Sequence, residues 1–164
     1  YIAALFTILG EDKAKLFMRN MKTNDVVVSG SNGESTDYIV KGEYDFSLVD
    51  SDDAINNIRA GKDVSMAFPD QNGIGVLILP NAAMLIKNCP HPANARKLID
   101  YLVSKDVEKK LAYADCAQIP LLPGVQTPRD VPNMTQLKLM RADFEKMADK
   151  LIEIQQYLKE WTKR

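Results

Sequence analysis

Histidine is nearly absent from this chain: His91 is the single one in 164 residues. That excludes a multi-histidine metal site. His91 stands between Pro90 and Pro92, with no serine or cysteine nearby in sequence to act as a nucleophile, and it reads as a surface loop residue. Cysteine is almost as scarce. Cys89 and Cys116 lack the paired spacing of a zinc site. Two unrelated thiols and one disulfide in an oxidising compartment both fit this pair. No apolar run approaches the ~20 residues of a membrane span. A net charge of -1 leaves no concentrated basic face for nucleic acid. The chain has no nucleophile elbow, Walker loop, zinc-protease motif or dinucleotide fingerprint, so an enzyme reading has little support. Internal repeats and low-complexity segments are also missing. The first residue is Tyr1, and its short apolar start has no charged n-region, so it does not read as a signal peptide. A chain that opens inside a helix is expected to be a piece of something longer.

What is present is an ordinary globular composition, 46% hydrophobic and 26% charged. The length suits one domain or two small lobes. The organising stretch runs from Ser29 to Ala54 and holds one device twice: an apolar strand, a polar turn, then a helix. Val26 to Val28 form the first expected strand, with Ser29-Gly30-Ser31-Asn32-Gly33 as its turn. Phe46 to Val49 form the second, with Asp50-Ser51-Asp52-Asp53 as its turn. In an open parallel sheet, ligands bind outside the carboxyl ends of strands, beside helix N-termini.

The rest of the chain reads around that stretch. Residues 2 to 22 are helical by apolar spacing, broken at Gly10, with Glu11 and Asp12 opening the second helix. Helices follow from Glu34 to Lys41 and Asp52 to Ala60, stopped by Gly42 and Gly61. Val64 to Phe68 alternates as a strand should. Two further extended runs, Ile74 to Leu79 and Ala82 to Ile86, follow a change of pattern at Pro69-Asp70-Gln71-Asn72-Gly73. The lobe boundary is placed near residues 69 to 75. Helices then span Ala93 to Val103, with Ala95, Leu98, Ile99 and Leu102 inward, and Lys105 to Ala114, capped by Ser104. Prolines at 120, 123, 128 and 132 keep residues 117 to 133 extended or looped. From Leu137 to Trp161 apolar residues recur three and four apart, which predicts one long helix on its own domain or a coiled-coil dimer.

Two clusters carry candidate chemistry. Ser31, Asn32 and Gly33 open a helix, where orphan N–H groups and hydroxyls suit an anionic oxygen; plain capping accounts for the same residues. Asp50, Ser51, Asp52 and Asp53 are denser. One must cap the helix and acids stabilise its first turn, but a third acid there has no structural need. It suits a hydroxylated or cationic ligand, or a hard metal.

Taken in order, the segments resemble the C-terminal half of bacterial extracellular solute-binding proteins of ABC transporters, in the group labelled iron(III)-binding. The resemblance is carried by Leu5-Phe6 through Gly10-Glu11-Asp12-Lys13-Ala14, Ser31-Asn32-Gly33, Gly42-Glu43-Tyr44-Asp45-Phe46 and Val49-Asp50-Ser51-Asp52-Asp53-Ala54. Pro69-Asp70-Gln71, Pro90-His91-Pro92, Asp100-Tyr101-Leu102-Val103-Ser104, Ala117-Gln118-Ile119-Pro120-Leu121 and Glu160-Trp161 continue it. It implies an α/β fold of the type II periplasmic-binding-protein kind: two lobes of mixed sheets flanked by helices, with ligand between them and a long C-terminal helix. Residues 1–70 would belong to the second lobe, and 71–164 would supply hinge strands and the end of the first. Ferric members carry adjacent tyrosines where this chain has Asp52 and Asp53, which favours a small organic or anionic, even phosphorylated, solute over iron.

The expected ligand set is Ser31, Asn32 and Gly33 as donors, and Asp50, Ser51 and Asp52 as acceptors, with Asp70 and Gln71 near the hinge. Asp52 and Asp53 are the alternative metal ligands. No cofactor is implied, iron being a transported ligand. The partner is a membrane permease, and the location is periplasmic or extracellular, with any signal peptide or lipid anchor outside this chain. A ligand-sensing regulatory module and a metal-dependent hydrolase are the other classes.

Overall fold

The computed structural model describes residues 1–163. The architecture is helical. The α-helices are α1 (Ile2–Leu9), α2 (Glu11–Thr23), α3 (Asn32–Val40), α4 (Ser51–Arg59), α5 (Pro92–Leu102), α6 (Lys105–Tyr113), α7 (Phe144–Glu153) and α8 (Gln155–Trp161). A 3₁₀ turn, Met134–Gln136, precedes α7.

This corrects the expected α/β fold with mixed sheets. Among the described residues there is no sheet; the sole β contact is an isolated parallel bridge between Val76 and Leu139. The physical reason is the lack of ladder partners. Val26, Val27 and Val28 are exposed, as are Phe46 and Leu48 in the next expected strand. Met84 and Ile86, in the last one, are 85% and 77% exposed. A strand is stabilised by the cross-strand neighbours it pairs with, and these runs have none.

The long C-terminal helix is corrected too. Leu137 to Asp143 is not α-helical, and the helix begins at Phe144, where the Asp143 side chain accepts from the Lys146 amide. A second break falls at Ile154, which ends α7 and precedes α8. The seam is apolar throughout, but Met140 buries itself through the bridge segment against Ala4 and Met147 rather than along a helix.

The helix signals are otherwise well placed. Gly10, with φ +79°, ends α1 and opens α2. Ser104 caps α6 by accepting from the Val107 amide. α5 differs from expectation on one point: none of its residues is buried, and Leu98 and Leu102 face solvent.

Besides the Ala4–Met140–Met147 cluster, two apolar centres result among the described residues. In one, α1 and α2 bury Leu5, Phe6, Ala14 and Met18 together with Ile154, and α8 closes over them. Phe6 meets Tyr157 edge to face at 5.6 Å. The Trp161 indole N–H donates to the Met18 carbonyl at 2.9 Å. In the other centre, Ile55 of α4 packs with Ala112 of α6 and with Ala117 and Val131 of the following loop. Among the described residues no helix is long and apolar enough to cross a membrane.

Candidate functional site

The first turn of α3 is a capping arrangement. Ser31 is extended, and its hydroxyl accepts from the Glu34 amide at 3.1 Å. Glu34 reaches back to the Gly30 amide at 2.6 Å and takes the Tyr38 hydroxyl at 2.8 Å. These donors hold the Glu34 carboxyl below its ordinary range, the Gly30 amide contributing most. The Ser-x-x-Glu spacing of Ser31 and Glu34 is a capping-box signature legible in the sequence. What stays open at this helix end are the amides of Asn32 and Gly33, which donate to no group among the described residues.

α4 begins beside it. The Asn32 side-chain amide donates to Asp50 Oδ2 at 2.8 Å, so the two helix N-termini meet. Asp50 is the N-cap residue of α4, but its side chain makes no capping bond. Asp50, Asp52 and Asp53 converge, each offering one carboxylate oxygen, all within 4.8 Å of one another. Burial raises the Asp53 pKa, repulsion from Asp52 and Asp50 adds to it, and a hydrogen bond from Asn32 opposes it. None of the ion pairs among the described residues includes these acids. The cluster thus has no side-chain ion-pair partner among the described residues, the Tyr1 ammonium being a cation that acts on Asp50, and carboxylates so placed suit a cation, an ammonium or a set of hydroxyl donors.

Asp70 and Gln71 are engaged elsewhere. Asp70 has a left-handed backbone, φ +59°, and its carboxylate accepts from the Ile74 amide at 3.0 Å. Gln71 accepts from the Lys138 amide at 2.7 Å and donates to the Lys138 carbonyl at 3.3 Å. Together they fasten the 69–75 turn to the bridge segment, and no hydrogen bond joins them to the Asp50–Asp53 cluster among the described residues.

Sequence reasoning did not single out Gln118. Its side-chain amide donates to Asp52 Oδ2 at 3.5 Å and to the Cys116 carbonyl at 3.1 Å, while its oxygen accepts from Asn81 at 2.9 Å. A signal for this was available: Asp52, Ile55 and Arg59 lie three and four apart on α4, one stripe facing one neighbour. Nothing in the local sequence marks Asn81.

Residues 5–142 match the bacterial extracellular solute-binding protein family, and the chain belongs to it. That is a family of transport binding proteins. The chain is 26% identical over 137 residues to iron uptake protein A1 of Synechocystis sp., covering 82% of this chain and 38% of that protein. It is 23% identical over 113 residues to a putative 2-aminoethylphosphonate-binding periplasmic protein of Salmonella typhi, covering 68% of this chain and 34% of that protein. The chain thus spans little more than a third of the length of these curated relatives. No solved structure matches it.

Proposed function

We propose that this chain is part of the substrate-binding component of an ABC importer. It holds a small solute carrying an anionic group and an amine or hydroxyls, and it does no chemistry on that solute. The observation that carries the reading is the Asn32–Asp50 bond of 2.8 Å. It sets free helix N-terminal donors, which suit phosphate, phosphonate or carboxylate, directly against carboxylates without a side-chain ion pair, which suit an ammonium. A ligand with both groups satisfies both sides. The name of the Salmonella relative, a putative aminoethylphosphonate binder, describes such a molecule. Asp52 lies before the 69–75 boundary and Gln118 after it, so their contact supports a ligand held between the two parts of the chain. Ligand then shifts an open–closed equilibrium, and a membrane permease recognises the closed form outside the cytoplasm.

The second reading is ferric iron as cargo. The convergence of Asp50, Asp52 and Asp53 favours it, since carboxylates are hard oxygen donors, and the Synechocystis relative is named for iron uptake. Titration calorimetry with 2-aminoethylphosphonate, and separately with ferric citrate, distinguishes them. The expected result is organophosphonate binding that weakens in Asp50→Asn and Asp52→Asn. Stoichiometric iron without phosphonate binding selects the second reading, and binding of neither refutes both.

A further inference from the structure

The sequence holds the dipeptide Asn-Gly twice, at Asn32-Gly33 and at Asn72-Gly73. Glycine after asparagine leaves the next backbone nitrogen unhindered beside the side-chain amide, with the backbone freedom that ring closure needs. The two copies stand in opposite surroundings. Asn32 is the first residue of α3, so its backbone is helical. Its side-chain amide is held by Asp50 at 2.8 Å, and its carbonyl accepts from the Thr36 hydroxyl at 2.6 Å. Asn72 is exposed in the 69–75 turn, outside any helix. Its side chain has no hydrogen bond among the described residues. The turn as it stands suits only glycine at the next position. A Cβ on residue 73 would fall on the Asp70 carboxylate, and swinging that carboxylate away breaks its bond from the Ile74 amide at 3.0 Å. The Gly73 N–H donates to the Asp70 carbonyl at 2.9 Å. Gly73 is exposed too, and a turn bond in solvent opens locally at little cost.

We propose that Asn72 is a site of spontaneous deamidation, and that its isoaspartate product unfastens the 69–75 turn from the 138–140 segment. The inference is independent of the solute-binding reading. The Gly73 nitrogen attacks Asn72 Cγ and gives up its proton. The new C–N bond forms as the Cγ–Nδ2 bond breaks, and ammonia leaves. Water then opens the cyclic imide without any oxidation or reduction. Opening at Cγ gives aspartate, and opening at the main-chain carbonyl gives isoaspartate, whose main chain runs through the side-chain carbon and is one methylene longer. The turn has no slack for that. Asp70 gathers the Gly73, Ile74 and Gly75 amides, while Gln71 accepts from the Lys138 amide at 2.7 Å and Val76 donates to the Lys138 carbonyl at 2.9 Å. Lengthening the chain between residues 72 and 73 shifts Val76 against Gln71, so both fastenings to Lys138 cannot hold together.

The test ages the natural chain near neutral pH, folded and in urea, and digests it with trypsin. Residues 23–41 and 63–87 leave as separate peptides, so fragment masses read each Asn-Gly by its amide-to-acid change. The rates in urea are the unfolded reference for each site. Folding should slow Asn32 at least about tenfold more than Asn72, the factor for one hydrogen bond to a charged group. Equal slowing at the two sites, or a folded Asn72 that keeps its amide while the unfolded one loses it, overturns the proposal. The isoaspartate form, purified by chromatography, should melt in urea about 1 M below Asn72→Asp, which carries the same charge on an unlengthened main chain. Equal midpoints overturn the unfastening.

Discussion

Replacing Gly75 by alanine tests the one place among the described residues where two distant segments hydrogen-bond backbone to backbone. Gly75 has φ +87°, and a Cβ there would lie 2.6 Å from the Lys138 carbonyl oxygen, 2.8 Å from the Leu139 carbonyl carbon and 2.9 Å from the Met140 nitrogen. These atoms are main chain and cannot rotate aside. The left-handed backbone alone costs about 1–2 kcal/mol for an L-residue. Relief of the clash separates the segments and breaks the Val76 N–H to Lys138 carbonyl and Met140 N–H to Val76 carbonyl bonds, both 2.9 Å. At about 1 kcal/mol each, they bring the loss to roughly 3–4 kcal/mol. That is a large share of a typical domain's stability and lowers a urea midpoint by roughly 1–4 M. Gly124 is the internal control. It shares the backbone, φ +79°, but has nothing within 4 Å of its Cβ position. Gly124→Ala should therefore lose only the conformational share. Equal midpoints for the two variants in urea melts would refute the close-approach argument.

Other predictions follow from the site and the helix contacts. Burial and the neighbouring acids raise the Asp53 pKa, so the folded state holds its proton more tightly than the unfolded one. Stability is then full below the unfolded carboxylate value of about 4 and falls as pH rises through the higher folded value. Asp53→Asn should melt above the natural protein at pH 7, with the gap closing toward pH 3, and a variant that melts lower at pH 7 would contradict this. Trp161→Phe removes the indole donor to the Met18 carbonyl and should cost about 1 kcal/mol in a denaturant melt. An unchanged midpoint would mean that this bond contributes nothing net.

Helices were legible because their signals are local. Gly10, Ser104 and the acids of the first turns act within one or two turns of their own position, and the elements begin and end close to them. Strands were not, because β structure depends on a partner that spacing within one run does not name. Val26-Val27-Val28 has the propensity and lacks the ladder. The seam from Leu137 misled for a related reason: Met140 is buried as a helix seam requires, but it is reached through the Val76 bridge. At the site, the two turns read separately in sequence are joined by Asn32 and Asp50, eighteen residues apart. The amides at Asn32 and Gly33 donate to no group among the described residues, while Glu34 takes the Gly30 amide. Gln118 lies sixty-six residues from Asp52, beyond any local pattern except the stripe on α4.

The chain has one tryptophan, and its position gives an optical consequence. Trp161, the last residue of α8, packs against α2, bonded to the Met18 carbonyl and with the Lys22 ammonium 5.8 Å from its ring centroid. Its fluorescence therefore follows the undocking of α8 from the centre built on Phe6 and Met18. It is silent on the separate centre around Ile55, where the acidic cluster and the Gln118 loop are held. Along one urea ramp, Trp161 emission and the Gln118 side-chain amide resonances report two different parts of one molecule. Coincident curves mean that the two parts unfold as a single cooperative unit, and the distance between displaced curves measures how weakly they are coupled.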